Sequence, residues 1–229
     1  MIKMKKNIVF LPCRKGSERV PQKNTRTFAG VVGGLLWIKL NELSRARLID
    51  EIIVSSNDDE VLRIATSMHN DKIRVIRRDD ALCSSQTSTD QLINYVAGLI
   101  KEGTIMWTHV TSPFLKAKTY DDMLRTYYEQ YPAYDSLMAV TPIRSFLWDS
   151  KQPVNYQRSQ EKWPRTQTID PLFEVNSGAF IADASIYHNF NDRVGERVFM
   201  YETSKLESMD IDWQEDFDLA EKLYKMINI

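Results

Sequence analysis

The stretch Asn7-Ile8-Val9-Phe10-Leu11-Pro12, continued by Cys13-Arg14-Lys15-Gly16-Ser17-Glu18-Arg19-Val20-Pro21-Gln22-Lys23-Asn24, decides the fold. The first part is a short apolar run closed by a proline and reads as a buried strand. The continuation is polar and sets Arg14, Lys15, Arg19 and Lys23 around a Gly-Ser turn. Backbone N–H groups of such a turn, with flexible cations beside it, can hold a polyphosphate. The bland alternative is a solvated basic loop. Position favours the first reading, because open α/β sheets bind ligands outside the carboxyl ends of their strands. No G-x-x-x-x-G-K-S/T is present, so this is not a Walker loop, and the absence of G-x-G-x-x-G after the strand disfavours a dinucleotide fold.

Outward from this stretch, short apolar runs alternate with helical patterns. A helix is expected from about Gly33 to Leu48, a strand at Glu51-Ile52-Ile53-Val54-Ser55, and a helix opened by Asn57 with Glu60 as a capping box. Ile73-Arg74-Val75-Ile76 is the next strand, and Ser88 with Gln91 opens a helix running to about Lys101. Thr104 to Val110 reads as strand, Thr119 to Tyr131 as helix, and Ser136 to Thr141 as strand. From Arg144 to Pro171 the rhythm breaks into a polar segment with Trp148, Trp163 and prolines at 153, 164 and 171. Such a length without regular structure is expected to be a lid or a dimerisation arm. Phe173-Glu174-Val175 and Ala179-Phe180-Ile181 resume the strands, a short helix follows near Ile186, and a last helix follows Asp212. Its apolar stripe is Trp213, Phe217, Ala220, Tyr224 and Ile227. The expected fold is α/β: a three-layer sandwich of a mostly parallel twisted sheet with helices on both faces, in one domain over 1–229.

The 229 residues suffice for one large core. Thirty Lys+Arg against 31 Asp+Glu leave a net charge of −1, which argues against a nucleic-acid partner. Cys13 and Cys83 form no disulfide framework or C-x-x-C, and His69, His109 and His188 form no zinc pattern. The apolar run after Met1 is too short for a signal peptide, and no run approaches the ~18 apolar residues of a membrane span. The expected setting is cytoplasmic, with no membrane partner.

Leu11 to Asn24 resembles the opening signature of the sialic acid cytidylyltransferases (CMP-sialic acid synthetases), roughly I/L-P-A-R-x-G-S-K-x-I/V-P-x-K-N. Arg14, Gly16, Ser17, Pro21, Lys23 and Asn24 match, whereas Cys13 replaces an Ala and Glu18 a Lys. Arg19, absent from many members, can restore the cation that Glu18 removes. Further stretches are similar to the family's in order. They are Val54 to Asp58, Arg78 and Leu82 followed by Ser88, Thr108 to Pro113, Arg165-Thr166-Gln167 leading to Val175 to Ala179, and Met209-Asp210-Ile211-Asp212. The resemblance covers nearly the whole chain. It implies a Rossmann-like nucleotidyltransferase fold with a small dimerisation excursion, and a homodimer.

It also implies roles. Arg14 and Lys23 would be the catalytic cations. Leu11, Cys13, Arg14, Ser17, Arg19, Lys23, Asn24, Arg78 and Ser88 would meet the nucleotide. His109, Thr111, Ser112, Arg165, Gln167 and Asn176 would meet the sugar, His109 standing where the family has a Gln. Asp210 and Asp212 would hold Mg²⁺. Residues i and i+2 of an extended segment share a face, so two carboxylates can converge on a hard ion. The competing reading is a helix start, with Asp212 and Glu215 as a capping box. The implied reaction is attack of the sugar's anomeric hydroxyl on the α-phosphate of CTP, with an acid sugar of the sialic acid type as acceptor. Rival readings are a pseudaminic, legionaminic or Kdo-type sugar, a sugar-1-phosphate with another base, and a nucleotide-binding regulator without activity.

Overall fold

The computed structural model describes residues 5–227; Met1–Met4, where the N-terminal reading began, lie outside the described residues. A seven-stranded sheet forms the centre, in the order β3-β2-β1-β4-β6-β5-β7. Its strands are β1 (Asn7–Pro12), β2 (Glu51–Ser56), β3 (Ile73–Arg77), β4 (Thr104–Trp107), β5 (Ser136–Ile143), β6 (Leu172–Asp183) and β7 (Val198–Glu202). The helices are α1 (Gly34–Arg45), α2 (Asp59–Ser67), α3 (Thr89–Leu99), α4 (Ala117–Gln130), α5 (Ala184–Asn189) and α6 (Gln214–Ile227). β6 runs antiparallel to β4 and β5; the other pairs are parallel.

Alternation along β1 explains the two faces. Val9 and Leu11 join Leu35, Leu36, Met106, Leu124 and Phe217 on one side of the sheet. Ile8 and Phe10 join Ile93, Val96, Trp107 and Phe180 on the other. Burial of a strand on both faces produces the continuous apolar run seen in the sequence. The order of strands reverses between β1 and β4, so the crevice expected to bind ligand lies beyond Pro12 and Trp107.

Several element expectations change. Asp58, not Asn57, caps α2, its carboxylate accepting from Glu60 N–H at 3.0 Å. Ser88 does form the expected capping box with Gln91. The two runs at 173–175 and 179–181 are one strand, β6, because its pairing with β5 slips between Met138 and Val140 and residues 176–179 bulge out. β7, unforeseen in the sequence, adds an edge beside β5. The stripe on α6 is buried only at its middle, at Phe217 and Ala220; Trp213 and Ile227 are exposed. Asp212 does not cap α6. Instead Asp216 reaches back and accepts from the N–H groups of Asp212 and Trp213 at 3.0 and 2.7 Å.

The segment 144–171 folds on itself. A small hairpin is closed by Val154 N–H to Leu147 O at 2.9 Å. Phe146, Tyr156, Trp148 and Trp163 cluster beside it, with the Arg158 guanidinium near both tryptophan rings. Trp163 nevertheless stays 61% exposed.

Candidate active site

The loop after β1 is built by three local ties. Cys13 N–H continues the β1–β2 pairing by donating to Ser55 O at 2.9 Å. Lys15 N–H donates to the Asn57 side-chain oxygen at 2.8 Å, and Asn57 in turn donates to Asp80 at 2.8 Å. Gly16 then turns with φ +77°, a left-handed conformation that favours glycine. The far end of the loop packs under α1, where Leu36 N–H donates to Asn24 O at 2.8 Å. A Cβ on Gly34 would sit 2.0 Å from Arg26 O, so only glycine lets the loop lie this close to the helix.

Between this loop and the turn after β4 is a cleft of about 370 Å³, lined by Cys13, Arg14, Ser17, Glu18, Arg19, Lys23, Asn24, His109 and Thr111, among others. The expected loop residues therefore converge at one place, joined by His109 and Thr111 from 85 or more positions further along the chain. Glu18, the change of sign relative to the family signature, also lines it.

The Asp210-Ile211-Asp212 segment closes the same site. Ile211 is fully buried, and its N–H donates to Thr111 O at 3.0 Å. Its carbonyl accepts from Lys23 Nζ at 2.5 Å. Asp212 pairs with Arg19 at 3.1 Å and lies 3.9 Å from Lys23 Nζ. Arg19 is further held over the Trp213 ring, 4.9 Å from its centroid. Burial lowers the Lys23 pKa, and the charges of Asp212 and Asp210 oppose that shift. Asp210 Oδ1 is buried and accepts no hydrogen bond. A buried carboxylate oxygen left without a donor is costly unless a cation supplies its partner. No cluster of three or more His, Cys, Asp or Glu able to hold a metal occurs among the described residues. Mg²⁺ suits such a place, because it is commonly held by one or two carboxylates with substrate phosphates and water completing its shell.

Half-buried His109, in the cleft wall, and buried Lys39, behind it, set the electrostatics of the site. His109 Nε2 accepts from the Trp107 indole N–H at 3.1 Å. Burial, then the charges of Arg193, Lys39 and Lys23, push its pKa down to about 3. The imidazole is therefore neutral, and the proton it carries is on Nδ1. Lys39, 1% exposed on α1, donates to Ser112 O at 2.8 Å and to the Tyr120 hydroxyl. Burial brings its pKa down to about 7, against the raising effects of Asp210 and Glu42. Nothing in the sequence reading singled out Lys39, because a lysine within Trp37-Ile38-Lys39-Leu40 gives no sign of which way it points.

Other expected site residues lie elsewhere. Leu11 is fully buried in the core, and Ser112 is 2% exposed with its carbonyl engaged by Lys39. Ser88 is exposed, its hydroxyl occupied as the cap of α3. Arg78 is buried, with Nε on Cys83 Sγ at 3.0 Å and Nη1 without a partner. Cys13 lines the cleft as a thiol, since burial pushes its pKa up to about 12. Asn176 clamps the β6 bulge. Its amide donates to Thr141 and Thr203 and its oxygen accepts from Gly178 N–H, which leaves it nothing to offer a sugar without breaking those bonds. Arg165 and Gln167 are exposed on the excursion and do not line the cleft.

The sequence matches the cytidylyltransferase family over residues 8–228. The chain belongs to that family. This cytidylyltransferase is 25% identical over 236 residues to a pseudaminic acid cytidylyltransferase of Campylobacter jejuni subsp. jejuni serotype O:2, covering 96% of this chain and 97% of the relative. It is 25% identical over 235 residues to a CMP-N,N'-diacetyllegionaminic acid synthase of Legionella pneumophila, covering 96% of each. It is 22% identical over 217 residues to an N-acylneuraminate cytidylyltransferase of Streptococcus agalactiae, covering 93% of this chain and 52% of that longer protein. Among solved structures, a CMP:2-keto-3-deoxy-manno-octonic acid synthetase complexed with CTP superposes with TM-score 0.68 at 14% identity, covering 97% of this cytidylyltransferase and 99% of that chain. A 4-diphosphocytidyl-2C-methyl-D-erythritol synthase from Anaerococcus prevotii gives 0.69 at 14%, covering 96% of each chain. These likenesses establish a nucleotidyltransferase α/β fold. Among the described residues, no helix is long and apolar enough to cross a membrane.

Proposed function

We propose that this cytidylyltransferase activates a nine-carbon, sialic-acid-like 2-keto acid sugar with CTP, giving the CMP-sugar and pyrophosphate. The observation that carries the reading is the closure of the basic loop onto the Asp210–Asp212 segment through Lys23 and Arg19. Nucleotidyl transfer asks a protein mainly for in-line positioning and neutralisation of charge on oxygen. Arg14, Ser17, Arg19 and Lys23 line one cleft and supply donors and positive charge for a triphosphate. His109, neutral with a free Nδ1–H, offers a hydrogen bond to a sugar oxygen and no charge. Asp210 and Asp212 would hold Mg²⁺, which when bound supplies Lewis-acid stabilisation of phosphate oxygens.

The full-length coverage of the pseudaminic and legionaminic relatives, together with His109 in place of the family's Gln, favours a second reading in which the acceptor is one of those sugars. A homodimer is part of the proposal. Trp148, Val154, Trp163 and Leu172 leave exposed apolar side chains on and beside the excursion that a second copy would cover. In that arrangement 144–171 is the dimerisation arm of a single 1–229 domain, and exposed Arg165 and Gln167 would reach the sugar in the partner's cleft. The proposed setting is cytoplasmic; among the described residues no helix is long and apolar enough to cross a membrane. Incubation with CTP, Mg²⁺ and a nine-carbon acid sugar should yield an ester of the mass of the CMP-sugar. Failure with every acid sugar, by folded protein, would remove the assignment.

A further inference from the structure

In the sheet β2 lies between β1 and β3, and the residues at its end hold the segments that follow both neighbours. Ser55 O accepts from Cys13 N–H at 2.9 Å, at the start of the cleft loop. Ser56 O accepts from Arg78 N–H at 2.8 Å, at the start of the segment after β3. Asn57, the first residue past β2, engages both segments at once. Its side-chain oxygen accepts from Lys15 N–H and its side-chain nitrogen donates to Asp80 Oδ1, each at 2.8 Å. Asp58 caps α2, so the Asn57 side chain has no part in starting that helix.

Both sides of this bridge bear on the nucleotide. On one side Arg14 and Ser17 line the cleft, with Gly16 turning between them at φ +77° directly after Lys15. A slip at Lys15 would re-aim both side chains. On the other side is Arg78, 3% exposed, whose Nη1 is buried without a partner. A buried guanidinium N–H without an acceptor is costly unless a ligand supplies one. The Arg78 charge reaches the Cys13 thiol in the cleft wall, so the two segments act on one region. The bridge requires an amide. Lys15 N–H only donates and an ionised Asp80 only accepts, so the group between them must do both. A carboxylate at 57 would keep the bond to Lys15 but set like charge against Asp80.

We propose that Asn57 is a positioning residue for CTP: its side-chain amide locks the loop after β1 to the segment after β3, so that donors of both grip one nucleotide. This rests on the CTP reading of the cleft and goes beyond it by naming the residue that sets its two walls relative to each other. Two hydrogen bonds are lost when the amide is removed, which should weaken CTP binding about 5- to 30-fold.

The experiment measures CTP binding by calorimetry, and KM for CTP and for an accepted acid sugar separately, in wild type and four variants. Asn57→Ala should raise Kd and KM for CTP about 5- to 30-fold and leave KM for the sugar unchanged. Asn57→Asp should weaken CTP at least as much. Asp80→Asn should stay near wild type, because an amide oxygen there still accepts from Asn57. The double variant Asn57→Asp with Asp80→Asn restores a donor and an acceptor with their places exchanged, and should recover most of the CTP affinity lost in Asn57→Asp. Unchanged CTP affinity in Asn57→Ala, an equal rise in sugar KM, or a double variant no better than Asn57→Asp would each overturn the assignment. If Asn57→Ala does not fold, the comparison of Asn57→Asp with the double variant decides alone. A folded wild type that binds no CTP would instead overturn the CTP reading beneath it.

Discussion

Lys23 Nζ donates to the main-chain carbonyl of Ile211 at 2.5 Å, across 188 positions of sequence. One bond thus ties the loop that leaves the first strand to the carboxylate segment that opens the last helix. The side chain is 13% exposed, so Lys23 is a built component of the site and not a surface cation.

Lys23→Ala should therefore act on two quantities. Removing a cation aimed at transition-state charge typically lowers kcat by about 10²–10³. Loss of the bond to Ile211 should cost about 1 kcal/mol of stability, visible as a small fall in denaturation midpoint. Turnover near wild type would return the loop to the status of a solvated basic surface.

The two aspartates can be separated. Asp210→Asn keeps size but removes the charge that a hard cation requires, so activity should fall by orders of magnitude and recover in part at high Mg²⁺. Asp212→Asn should also lower activity while sparing the start of α6, because Asp216 and not Asp212 caps it. Asp216→Asn, by contrast, should leave the Mg²⁺ dependence intact. Wild-type turnover and Mg²⁺ dependence in both Asp210→Asn and Asp212→Asn would remove the metal reading.

Much of this site was legible because the loop and the Asp-x-Asp are local patterns. Charges and a Gly-Ser turn after an apolar run announce themselves within a few residues. Lys39 was hidden for the opposite reason. Its partners, Ser112 O and Tyr120, lie 73 and 81 positions away, and periodicity cannot show that a helix buries a lysine against them. β6 was split in two because Asn176-Ser177-Gly178 bulges and interrupts the alternation on which strand reading depends. β7 is a five-residue edge strand without full burial on either face, so its pattern was too weak to read. Asn57 and Asp58 are adjacent cap formers, and only the bond to Glu60 N–H distinguishes them.

Lys39 makes stability depend on pH. Its folded pKa is about 7 against an ordinary 10.5, so between those values the unfolded chain binds more protons. Stability should rise with pH from about 7 to 10.5 through this group, a gain present in full above 10.5 and fully lost once pH has fallen to about 7, with a slope of at most ~1.4 kcal/mol per unit. Lys39→Met should abolish that component in urea titrations at pH 6 to 10. Identical pH dependence in variant and wild type would show that Lys39 stays protonated in the fold.

Assembly has its own test. Trp148 and Trp163 are 43% and 61% exposed in one copy of the chain. Sedimentation should give a dimer, and Trp148→Ser with Trp163→Ser should shift it towards monomer. A wild-type monomer at working concentration would leave the excursion as a lid.

The most direct measurement of the central claim is pyrophosphate release from CTP, ATP, GTP and UTP, each with a panel of nine-carbon acid sugars, Kdo-type sugars and sugar-1-phosphates. The account expects release with CTP and at least one nine-carbon acid sugar, and little with the other nucleotides or with sugar-1-phosphates. Equal turnover with all four nucleotides, or turnover confined to a sugar-1-phosphate, would contradict it.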